Sequence, residues 1–462
     1  MAAPVLPPEL LDGLSPAVVQ FLQAVLAENA ALKARIADLE GRLGQNSTNS
    51  SRPPSSDPPH TKPAPPRPPS GQSRGGQPGH PRHERAMLPP DRTVDHLPGR
   101  CRHCDHPLTG TDPDPIIDQV VDLPAQLRHV VHHRRHTLGC PSCGEHTTAG
   151  PVPDAARGFG PRLAATAAWL TGVGRLGKRT ARDFFREVCD IPLALGSVRR
   201  LERTVSRALA PVHAEALDHG HGANANVDET GWIEGRERAW LWVAVTPLVT
   251  VFLIHRHRNR DAFGDLVGPA PGVLTTDRYT VYGHLGGDRR QICWAHLRRD
   301  FQAMIDRGNA GADIGAELLA HADILYGHWQ KIRDGTRTRR WFGRTHAGWL
   351  RGEVRGLLER GSVCGCAGTA AVCREILGAE ESLWTFARVS GVEPTNNAAE
   401  RALRHAVCWR KTSGGTDSEC GSRFVERMLT VVSSCRSQGR GVLDFLQQAI
   451  AGKKPSLIPV EA

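Results

Sequence analysis

Three acidic residues, in segments of different type, place the strongest constraint on the fold of this chain. Asp228 and Asp277 each end an apolar, strand-like run, and Glu400 lies one turn inside a helix predicted within residues 394–404. Strand-end carboxylates beside a helical carboxylate form an oxygen-rich set of the kind that holds two Mg²⁺ ions for phosphodiester cleavage. The pattern predicts that Asp228, Asp277 and Glu400 are catalytic residues that bind Mg²⁺ or Mn²⁺.

The order of predicted elements after residue 217 is that of an α/β domain. Strand patterns occupy residues 223–227, 239–245, 248–254, 272–276 and 290–294, and the last two alternate with helices. A three-stranded meander followed by strand, helix, strand and helix is the order of an RNase H-like core. The predicted core therefore consists of residues 217–302 and 391–450, with a helical insertion at 303–390 and a tail at 451–462.

Each acidic residue also has a structural interpretation. Asp228 would cap a turn before Gly231, and Asp277 would N-cap the helix that follows it. Glu400 follows Asn397 by three residues, which is capping-box spacing. The catalytic interpretation is favoured because an RNase H-like fold would bring all three residues together. The aspartates end the first and fourth core strands, which are neighbours in such a sheet. The helix of Glu400 would cross the carboxyl ends of these strands.

The charge of the chain favours a polyanionic partner. The net charge is +10, and arginines cluster in the linker, the middle and the C-terminal third. Double-stranded DNA is favoured over a membrane, because no apolar run approaches the ~20 residues of a spanning helix. With no signal peptide at the N-terminus, we expect a cytoplasmic, nucleoid-associated protein with reduced cysteines. The predicted DNA-binding residues are Arg199, Arg203, Arg404, Arg410 and Lys411, and Arg404 and Lys411 share a helical face with Glu400.

Residues 1–43 end in a helix with a heptad seam. Apolar residues alternate spacings of three and four, with Leu32 and Leu39 at d positions and Asn29 at an a position. Leucine at d with one asparagine at a is typical of parallel two-stranded coiled coils, so a homodimer or higher homo-oligomer is predicted. The alternative is a core helix packed on its own chain. The seam consists of Leu22, Val25, Asn29, Leu32, Ile36, Leu39 and Leu43.

A proline-, serine- and arginine-rich stretch at 44–98 is predicted to be a disordered linker to a zinc-binding segment at 99–150. That segment carries two Cys-x-x-Cys pairs, Cys101 with Cys104 and Cys140 with Cys143. Two such knuckles on adjacent hairpins can place four thiolates tetrahedrally around a structural Zn²⁺. Two alternatives remain: a histidine from the intervening basic loop replaces one cysteine, or the thiols are unconnected.

Residues 151–216 are predicted to be helical, with one helix beginning near Ser197 and carrying Arg199 and Arg203. A helix-turn-helix with this helix in the major groove is one interpretation, and an ordinary pair of packed helices is the other. Cys293 and His296 form a Cys-x-x-His pattern without a second ligand pair of matching spacing, so a core role is favoured. Most tryptophans of the insertion are also expected in the core, although one is free to stack on an unpaired base.

The chain resembles the insertion-sequence-66 family of transposases, which have an Asp-Asp-Glu triad. The resemblance rests on Val227–Trp232, Asp277-Arg278-Tyr279, Cys293–Phe301, Pro394–Arg404 and Trp409-Arg410-Lys411, in this order. It extends to the N-terminal helix, linker and cysteine segment. It implies that Asp228, Asp277 and Glu400 are metal-binding catalytic residues, that the N-terminal modules dimerise and bind DNA ends, and that small accessory proteins of the same element take part.

The sequence therefore predicts a DNA transposase that binds the terminal inverted repeats of an insertion sequence. Metal-dependent cleavage at the 3′ ends and strand transfer into target DNA are the expected reactions. Two rivals belong to other classes: a catalytically silent, zinc-containing DNA-binding regulator, and an RNase H-like nuclease without strand transfer. The complete acidic set argues against the silent regulator, and the helical insertion argues against a simple nuclease.

Overall fold

The computed structural model describes residues 14–47, 49–50, 87–124, 126–150 and 158–459. The first part of the predicted coiled-coil segment and most of the predicted linker, residues 51–86, lie outside these ranges. Among the described residues, no helix combines the length and the apolar character needed to cross a membrane.

Helix α1, Pro16–Leu43, confirms the predicted N-terminal helix. Its heptad seam faces solvent: the side chains of Leu32 and Ile36 are 56% and 54% exposed. An apolar stripe of this kind is stabilised only when another surface covers it. The alternative of a core helix packed on its own chain therefore has no support in the described residues.

The cysteine segment contains two turns of the same geometry. The Asp105 N–H donates to Cys101 O at 2.9 Å, and the Gly144 N–H donates to Cys140 O at 2.9 Å. Asp105 and Gly144 both have positive φ, 59° and 78°. The second turn connects strands β1, Thr137–Gly139, and β2, His146–Thr148, which pair antiparallel. The chain thus forms both knuckles that the Cys-x-x-Cys spacing predicts.

Three helices precede the central sheet. They are α2, Pro161–Ala168, which continues into a π-helical segment at Trp169–Val173, then α3, Lys178–Glu187, and α4, Leu195–Gly220. The buried face of α4 belongs to the same hydrophobic core as the sheet. Helix α4 begins near Ser197 as predicted and continues along the core to Gly220, as expected for an ordinary pair of packed helices.

A five-stranded mixed sheet forms the centre of the protein, in the order β5-β4-β3-β6-β7. Its first three strands are antiparallel, and β3, β6 and β7 are parallel. The predicted meander followed by strand, helix and strand is confirmed. The strands are β3, Ala225–Glu234; β4, Glu237–Val245; β5, Thr250–His255; β6, Leu274–Thr276; and β7, Arg290–Ile292. Helix α5, Arg260–Val267, and a 3-10 segment, Thr280–His284, connect them.

Strand β3 is longer than predicted. It continues through Asp228 to Glu234, so the prediction that Asp228 ends the first strand was wrong. The reason is non-local pairing: β4 pairs with β3 from Asn226 to Glu234, and Gly235, with φ of 65°, allows a tight two-residue hairpin turn. Asp228 therefore lies within a strand and not in a loop.

The insertion forms a helical unit with its own hydrophobic core. Helix α6, Trp294–Asp306, leads into it directly after β7. Arg278, beyond β6, binds Asp300 of α6 (Nη2 to Oδ2, 2.8 Å) and Glu375 of the insertion (Nη1 to Oε1, 2.7 Å). The helices are α7, Ala312–Arg333; α8, Arg339–Thr345; α9, Ala347–Ser362; α10, Ala367–Gly378; and α11, Thr385–Arg388, with a 3-10 segment at Glu380–Leu383.

Three helices complete the fold: α12, Asn397–Ser413; α13, Glu419–Ser437; and α14, Val442–Ile450. Helix α12 ends at Gly414, which is left-handed with φ of 74°. A side chain at Gly415 would meet Ile233 O at 2.3 Å, because this loop pairs with the end of β3. Only glycine fits there.

Helix α13 covers the exposed edge of the sheet with polar side chains. Ser434, Thr430 and Glu426 accept hydrogen bonds, each at 3.0 Å, from the N–H groups of residues 250, 252 and 254 of β5. Four residues of a helix rise ~6 Å and two residues of a strand rise ~6.6 Å, so the two repeats match. The edge strand therefore has its outward N–H groups satisfied.

We expect Glu426 to make stability depend on pH. Burial raises its pKa to about 7, so the folded protein keeps a proton that the unfolded chain loses at lower pH. The stabilisation that Glu426 contributes is fully present below the usual glutamate pKa and is lost as the pH rises to about 7. The free energy of unfolding should fall by about 3 kcal/mol over this range. Urea unfolding of the wild type should show this decrease, and Glu426→Gln should not. Equal pH slopes in both proteins would contradict the assignment.

Candidate active site

Asp228 and Asp277 occupy corresponding positions on adjacent parallel strands. The last paired residues of β3 and β6 are Asn226 and Thr275, and each aspartate lies two residues beyond its pair. The Asp228 Oδ1 accepts from the next N–H, that of Glu229, at 2.9 Å. Topology thus places both carboxylates at the same edge of the sheet, although Asp228 lies within a strand.

The structure supports the capping interpretation for Asp277 but not for Asp228 or Glu400. The Asp277 Oδ1 accepts the N–H of Tyr279 at 2.9 Å, so Asp277 does cap the turn that follows β6. This leaves its second carboxylate oxygen outside that hydrogen bond. Asp228 caps no turn before Gly231, because β3 runs through that position. Glu400 forms no capping box: α12 begins at Asn397, and the N-cap Asn396 makes no side-chain cap hydrogen bond.

The site concentrates negative charge in a desolvated place. Burial, the adjacent Glu229 carboxylate and Asp277 hold the pKa of Asp228 well above its usual range. Burial and Asp277 also raise the pKa of Glu229. Carboxylates that repel each other at low dielectric favour a bound cation, because a cation relieves the repulsion that otherwise retains a proton.

A fourth acidic residue, Glu229, is neutralised from within the protein. Its carboxylate pairs with Arg258, whose Nε donates at 2.8 Å, and accepts a short hydrogen bond from the hydroxyl of Tyr282. The guanidinium of Arg258 also lies 3.6 Å from the ring centroid of Tyr279. Glu229 is 1% exposed and fully engaged, so it acts as a structural neighbour of Asp228.

Glu400 faces helix α6. Its Oε1 lies 3.7 Å from His296 Nδ1, and its Oε2 lies 3.7 Å from Arg299 Nη2. The Glu400 Oε1 and the His296 Nδ1 are buried and have no hydrogen-bond partner. Both partners come from a helix about one hundred residues earlier in the chain, so no local pattern around Glu400 indicates them.

The loop before α12 fixes this helix on the sheet. The Asn396 side chain donates to Val227 O at 2.8 Å, and its N–H donates to Cys293 Sγ at 3.1 Å. The Trp294 N–H donates to Pro394 O at 2.9 Å. These contacts join the start of α12 to the strand residue immediately before Asp228. The Pro-Thr-Asn-Asn segment thus anchors the helix of Glu400 beside the strand of Asp228, but among the described residues Asp228, Asp277 and Glu400 do not form a set whose carboxylate oxygens all lie within 4.8 Å of one another.

His296 was not predicted as a site residue. Burial alone would lower its pKa, but the hydrogen bond and charge of Cys293 and the charge of Asp277 raise the pKa to about 9. His296 thus interacts with an aspartate on one side and with Glu400 on the other. The Cys-x-x-His pattern at a strand-to-helix junction was the available signal. The favoured core role accounts for Cys293, which is fully buried, but not for His296.

The predicted donor set suits a hard divalent cation. All three groups are carboxylates, which Mg²⁺ prefers, and Glu400 presents a buried oxygen without a hydrogen-bond partner. Burial and the neighbouring carboxylates raise the pKa of Asp228, and a bound cation would oppose that effect. Asp228, Asp277 and Glu400 are the residues that would hold Mg²⁺ or Mn²⁺.

The predicted DNA-binding arginines have unequal surroundings. Arg404 and Lys411 are exposed on α12, and Arg199 and Arg203 are exposed on α4. Arg410 is directed inward: it donates to Thr230 Oγ1 at 3.2 Å and makes a short hydrogen bond to the carbonyl of Gly231. Arg410 thus links α12 to β3, and part of its donor capacity is used within the protein.

An open cleft of about 710 Å³ lies beside the Glu400 helix. Arg298 and Arg299 of α6 line it, together with Asn397 at the start of α12. Asn49, from the segment that follows α1, reaches the same region and donates to Asp306 Oδ2 at 2.9 Å. The cleft thus places two arginines next to the start of the helix that carries Glu400, and these arginines pair with Asp323 and with Glu400.

The two Cys-x-x-Cys turns are the residues predicted to hold zinc. Hydrogen bonds from the N–H groups of Cys104 and Cys143 lower the pKa of the Cys101 and Cys140 thiols, which favours the thiolate that zinc binds. Among the described residues, however, the four cysteines of these turns do not form a set whose sulfur atoms all lie within 4.8 Å of one another, so the structure does not bring them together as one zinc site. The fit to zinc therefore rests on the two matching turns.

A protein-family model covers the part of the chain that contains the sheet. The family model described as Transposase IS66 family matches residues 158–423, which is more than half of the chain. The chain belongs to the IS66 transposase family. The matched range contains all five strands of the sheet, both aspartates and Glu400. A second family model, described as a family of unknown function (DUF6444), matches residues 10–86 of this IS66-family protein.

Curated relatives carry no functional description. The uncharacterized protein y4qI of Sinorhizobium fredii (strain NBRC 101917 / NGR234) is 26% identical over 242 residues, which is 46% of this IS66-family chain and 43% of that protein. The uncharacterized protein y4hP of the same strain is 24% identical over 396 residues, 75% of this chain and 69% of that protein. The chain thus aligns with less than half the length of y4qI.

Proposed function

We propose that this protein is a DNA transposase that cleaves the 3′ ends of an insertion sequence and joins them to target DNA. The observation that supports the proposal is the equivalent position of Asp228 and Asp277 at one sheet edge, together with the hydrogen bond that anchors the start of the Glu400 helix to the residue before Asp228. The strand order β5-β4-β3-β6-β7, antiparallel then parallel, supports assignment of the sheet to the RNase H-like class.

The chain's own residues prepare the site for in-line displacement at phosphorus. Asp228, Asp277 and Glu400 would hold Mg²⁺ or Mn²⁺, which when bound activates the attacking oxygen and stabilises the leaving oxygen. Buried Asn396 ties the start of α12 to β3, and the Glu229–Arg258 pair ties β3 to the segment between β5 and α5. In cleavage a water oxygen forms the new bond to phosphorus as the 3′ oxygen leaves. In strand transfer the freed 3′-hydroxyl attacks target phosphorus, and no covalent enzyme intermediate forms.

Double-stranded DNA is the proposed substrate and partner. Arg404, Lys411, Arg199 and Arg203 are exposed cations on two helices. The cleft beside Glu400 adds Arg298 and Arg299. Cations that contact the DNA phosphates position the duplex but do not recognise its base sequence. We therefore assign recognition of the terminal repeats to the zinc-binding segment. The proposed location is the cytoplasm, at the nucleoid, with accessory proteins of the same element as further partners.

We expect α1 to pair two copies of the chain. Transposition joins two DNA ends, and the exposed seam with Asn29 at an a position favours a parallel pair. Deleting residues 1–43 should leave folding of residues 158–459 unchanged but reduce complexes that hold two ends. Light scattering measures the oligomeric state, and gel analysis measures the complexes that hold two DNA ends. The Asn29→Ile variant should form a wider range of oligomeric states than the wild type. A full-length monomer at high micromolar concentration would contradict the dimer.

The function is tested with the DNA that flanks the gene. Inverted repeats and a short target duplication should border the element, and purified protein with Mg²⁺ should cut a duplex carrying the repeat at its 3′ end. Joining of the cut end to a second duplex distinguishes a transposase from a simple nuclease. Specific end binding without any cutting, in Mg²⁺ or Mn²⁺ and with accessory proteins supplied, would instead favour a silent regulator.

A further inference from the structure

We propose that Cys293, His296 and Glu400 form a second metal site, which binds a thiophilic divalent cation of the Zn²⁺ class. Their ligand atoms all lie within 4.8 Å of one another, and among the described residues they are the set of three or more His, Cys, Asp or Glu side chains that meets this limit. The set differs from the carboxylate site in its donors: one sulfur, one nitrogen and one oxygen.

Two of the three donor groups each have a buried atom without a hydrogen-bond partner. His296 Nδ1 and Glu400 Oε1, 3.7 Å apart, are both buried without a hydrogen-bond partner. Buried polar atoms in native proteins almost always have partners, so two unpaired atoms facing each other indicate room for a bound group. Cys293 Sγ is buried beside them and accepts the N–H of Asn396 at 3.1 Å.

The donor types select the cation. Zinc accepts thiolate sulfur at ~2.3 Å, imidazole nitrogen at ~2.0–2.1 Å and carboxylate oxygen at ~2.0–2.2 Å. Bonds of these lengths around a tetrahedron separate the donors by about 3.5 Å, so a set within 4.8 Å needs a contraction of about 1.3 Å at most. Mg²⁺ prefers six oxygens and gains little from sulfur. Binding would release two protons to solvent, one from the Cys293 thiol and one from the protonated ring of His296.

The backbone holds two donors rigidly. Cys293 lies at the junction of β7 and α6, and His296 lies in the first turn of α6. The third donor, Glu400, is fixed on α12 by the docked loop of Asn396. Three protein donors leave a fourth position of a tetrahedral ion open, as in zinc sites that exchange a ligand. Three protein donors are sufficient to bind the ion, and the open fourth position allows it to exchange.

The consequence for the reaction rests on the proposed function. Glu400 belongs to both sites, so an ion held by Cys293 and His296 would withdraw it from Asp228 and Asp277. We expect Zn²⁺ to inhibit Mg²⁺-supported cleavage, and excess Mg²⁺ to relieve the inhibition. The binding itself is independent of the reaction, because it needs only the three donors.

The binding test uses the full chain and Co²⁺, whose thiolate bond gives a near-ultraviolet charge-transfer band. The wild type should bind about one more Co²⁺ per chain than Cys293→Ser, with a matching difference in the band. Serine keeps an acceptor for the Asn396 N–H, so this variant should fold. Cys435→Ser is the matched control, since Cys435 is also fully buried but lies in α13, and it should bind as the wild type does.

All three proteins keep the four knuckle cysteines, so Co²⁺ bound at those cysteines cancels when the stoichiometries of the proteins are compared. Zn²⁺ inhibition, expressed relative to each protein's own Mg²⁺ rate, should weaken roughly tenfold or more in Cys293→Ser. Equal Co²⁺ stoichiometry and equal bands in wild type and Cys293→Ser would overturn the site. If the Co²⁺ difference appears but no protein cleaves DNA, the site stands and the proposed function fails.

Discussion

Replacing Asp228 or Asp277 by Asn, or Glu400 by Gln, will abolish cleavage and strand transfer while leaving end binding intact. Each substitution removes one charge from the set that would hold the catalytic metal ions, whose stabilisation of the transition state amounts to several kcal/mol. Because each 1.36 kcal/mol is tenfold in rate, the expected loss is about 10³-fold or more. Binding of DNA should not weaken, because each change makes the site less negative.

The same experiment needs controls of matched chemistry. Asp313→Asn and Glu353→Gln change exposed acids on α7 and α9, away from the sheet edge. They should cleave at wild-type rates, and circular dichroism should show that all five variants fold. Near-normal cleavage by Asp228→Asn or Asp277→Asn would remove that residue from the site. Loss of binding together with cleavage would indicate misfolding rather than lost chemistry.

Loss of zinc from the two knuckles will unfold residues 99–150. A segment with so many exposed apolar side chains has little core of its own, so metal bonds would supply most of its folding free energy. The protein should contain about one zinc ion per chain at this segment, and Cys101→Ser or Cys143→Ser should remove it. Proteolysis of 99–150 and loss of specific end binding should accompany the loss of metal.

Residues 158–459 should remain folded in those variants, because their core includes no residue of the knuckle segment. Cys420→Ser, at an exposed cysteine of α13, is the control and should keep the zinc. Metal analysis by emission spectroscopy, before and after chelator, provides the readout. A knuckle segment that resists proteolysis equally with and without chelator would contradict a structural zinc ion.

Much of the fold follows from local sequence patterns. The heptad spacing predicts α1, and the apolar runs around Thr246-Pro247 predict the β4–β5 hairpin; both are confirmed. These elements depend on short-range periodicity and turn chemistry, which a single sequence contains. The parallel neighbours β3 and β6 follow from the order of elements, because the connection from β5 through α5 crosses over the sheet and places β6 beside β3.

What the sequence could not provide depends on contacts between distant segments. The extension of β3 past Asp228 needs β4 as a partner, and the contact of His296 with Glu400 joins helices about one hundred residues apart. Arg410 illustrates the same limit: its position on α12 indicated a DNA contact, whereas its guanidinium reaches Gly231. A helical period shows which residues share a face but not which distant group that face meets.

The polar contacts of α13 are a further example. Glu426, Thr430 and Ser434 share one face of a helix, which in isolation indicates a solvated stripe. They instead accept hydrogen bonds from the edge strand β5. Their spacing matches the strand only because two residues of strand and four of helix have nearly the same rise. The pattern becomes interpretable once the strand is known to lie beside the helix.

Anomalous diffraction from crystals of the protein with terminal-repeat DNA and Mn²⁺ tests the central claim most directly. The account predicts two Mn²⁺ peaks ~3.5–4 Å apart, bound by carboxylate oxygens of Asp228, Asp277 and Glu400 and adjacent to the scissile phosphate. Peaks elsewhere, or a Glu400 carboxylate that stays on His296 and Arg299 while DNA and Mn²⁺ occupy the aspartate edge, would contradict it.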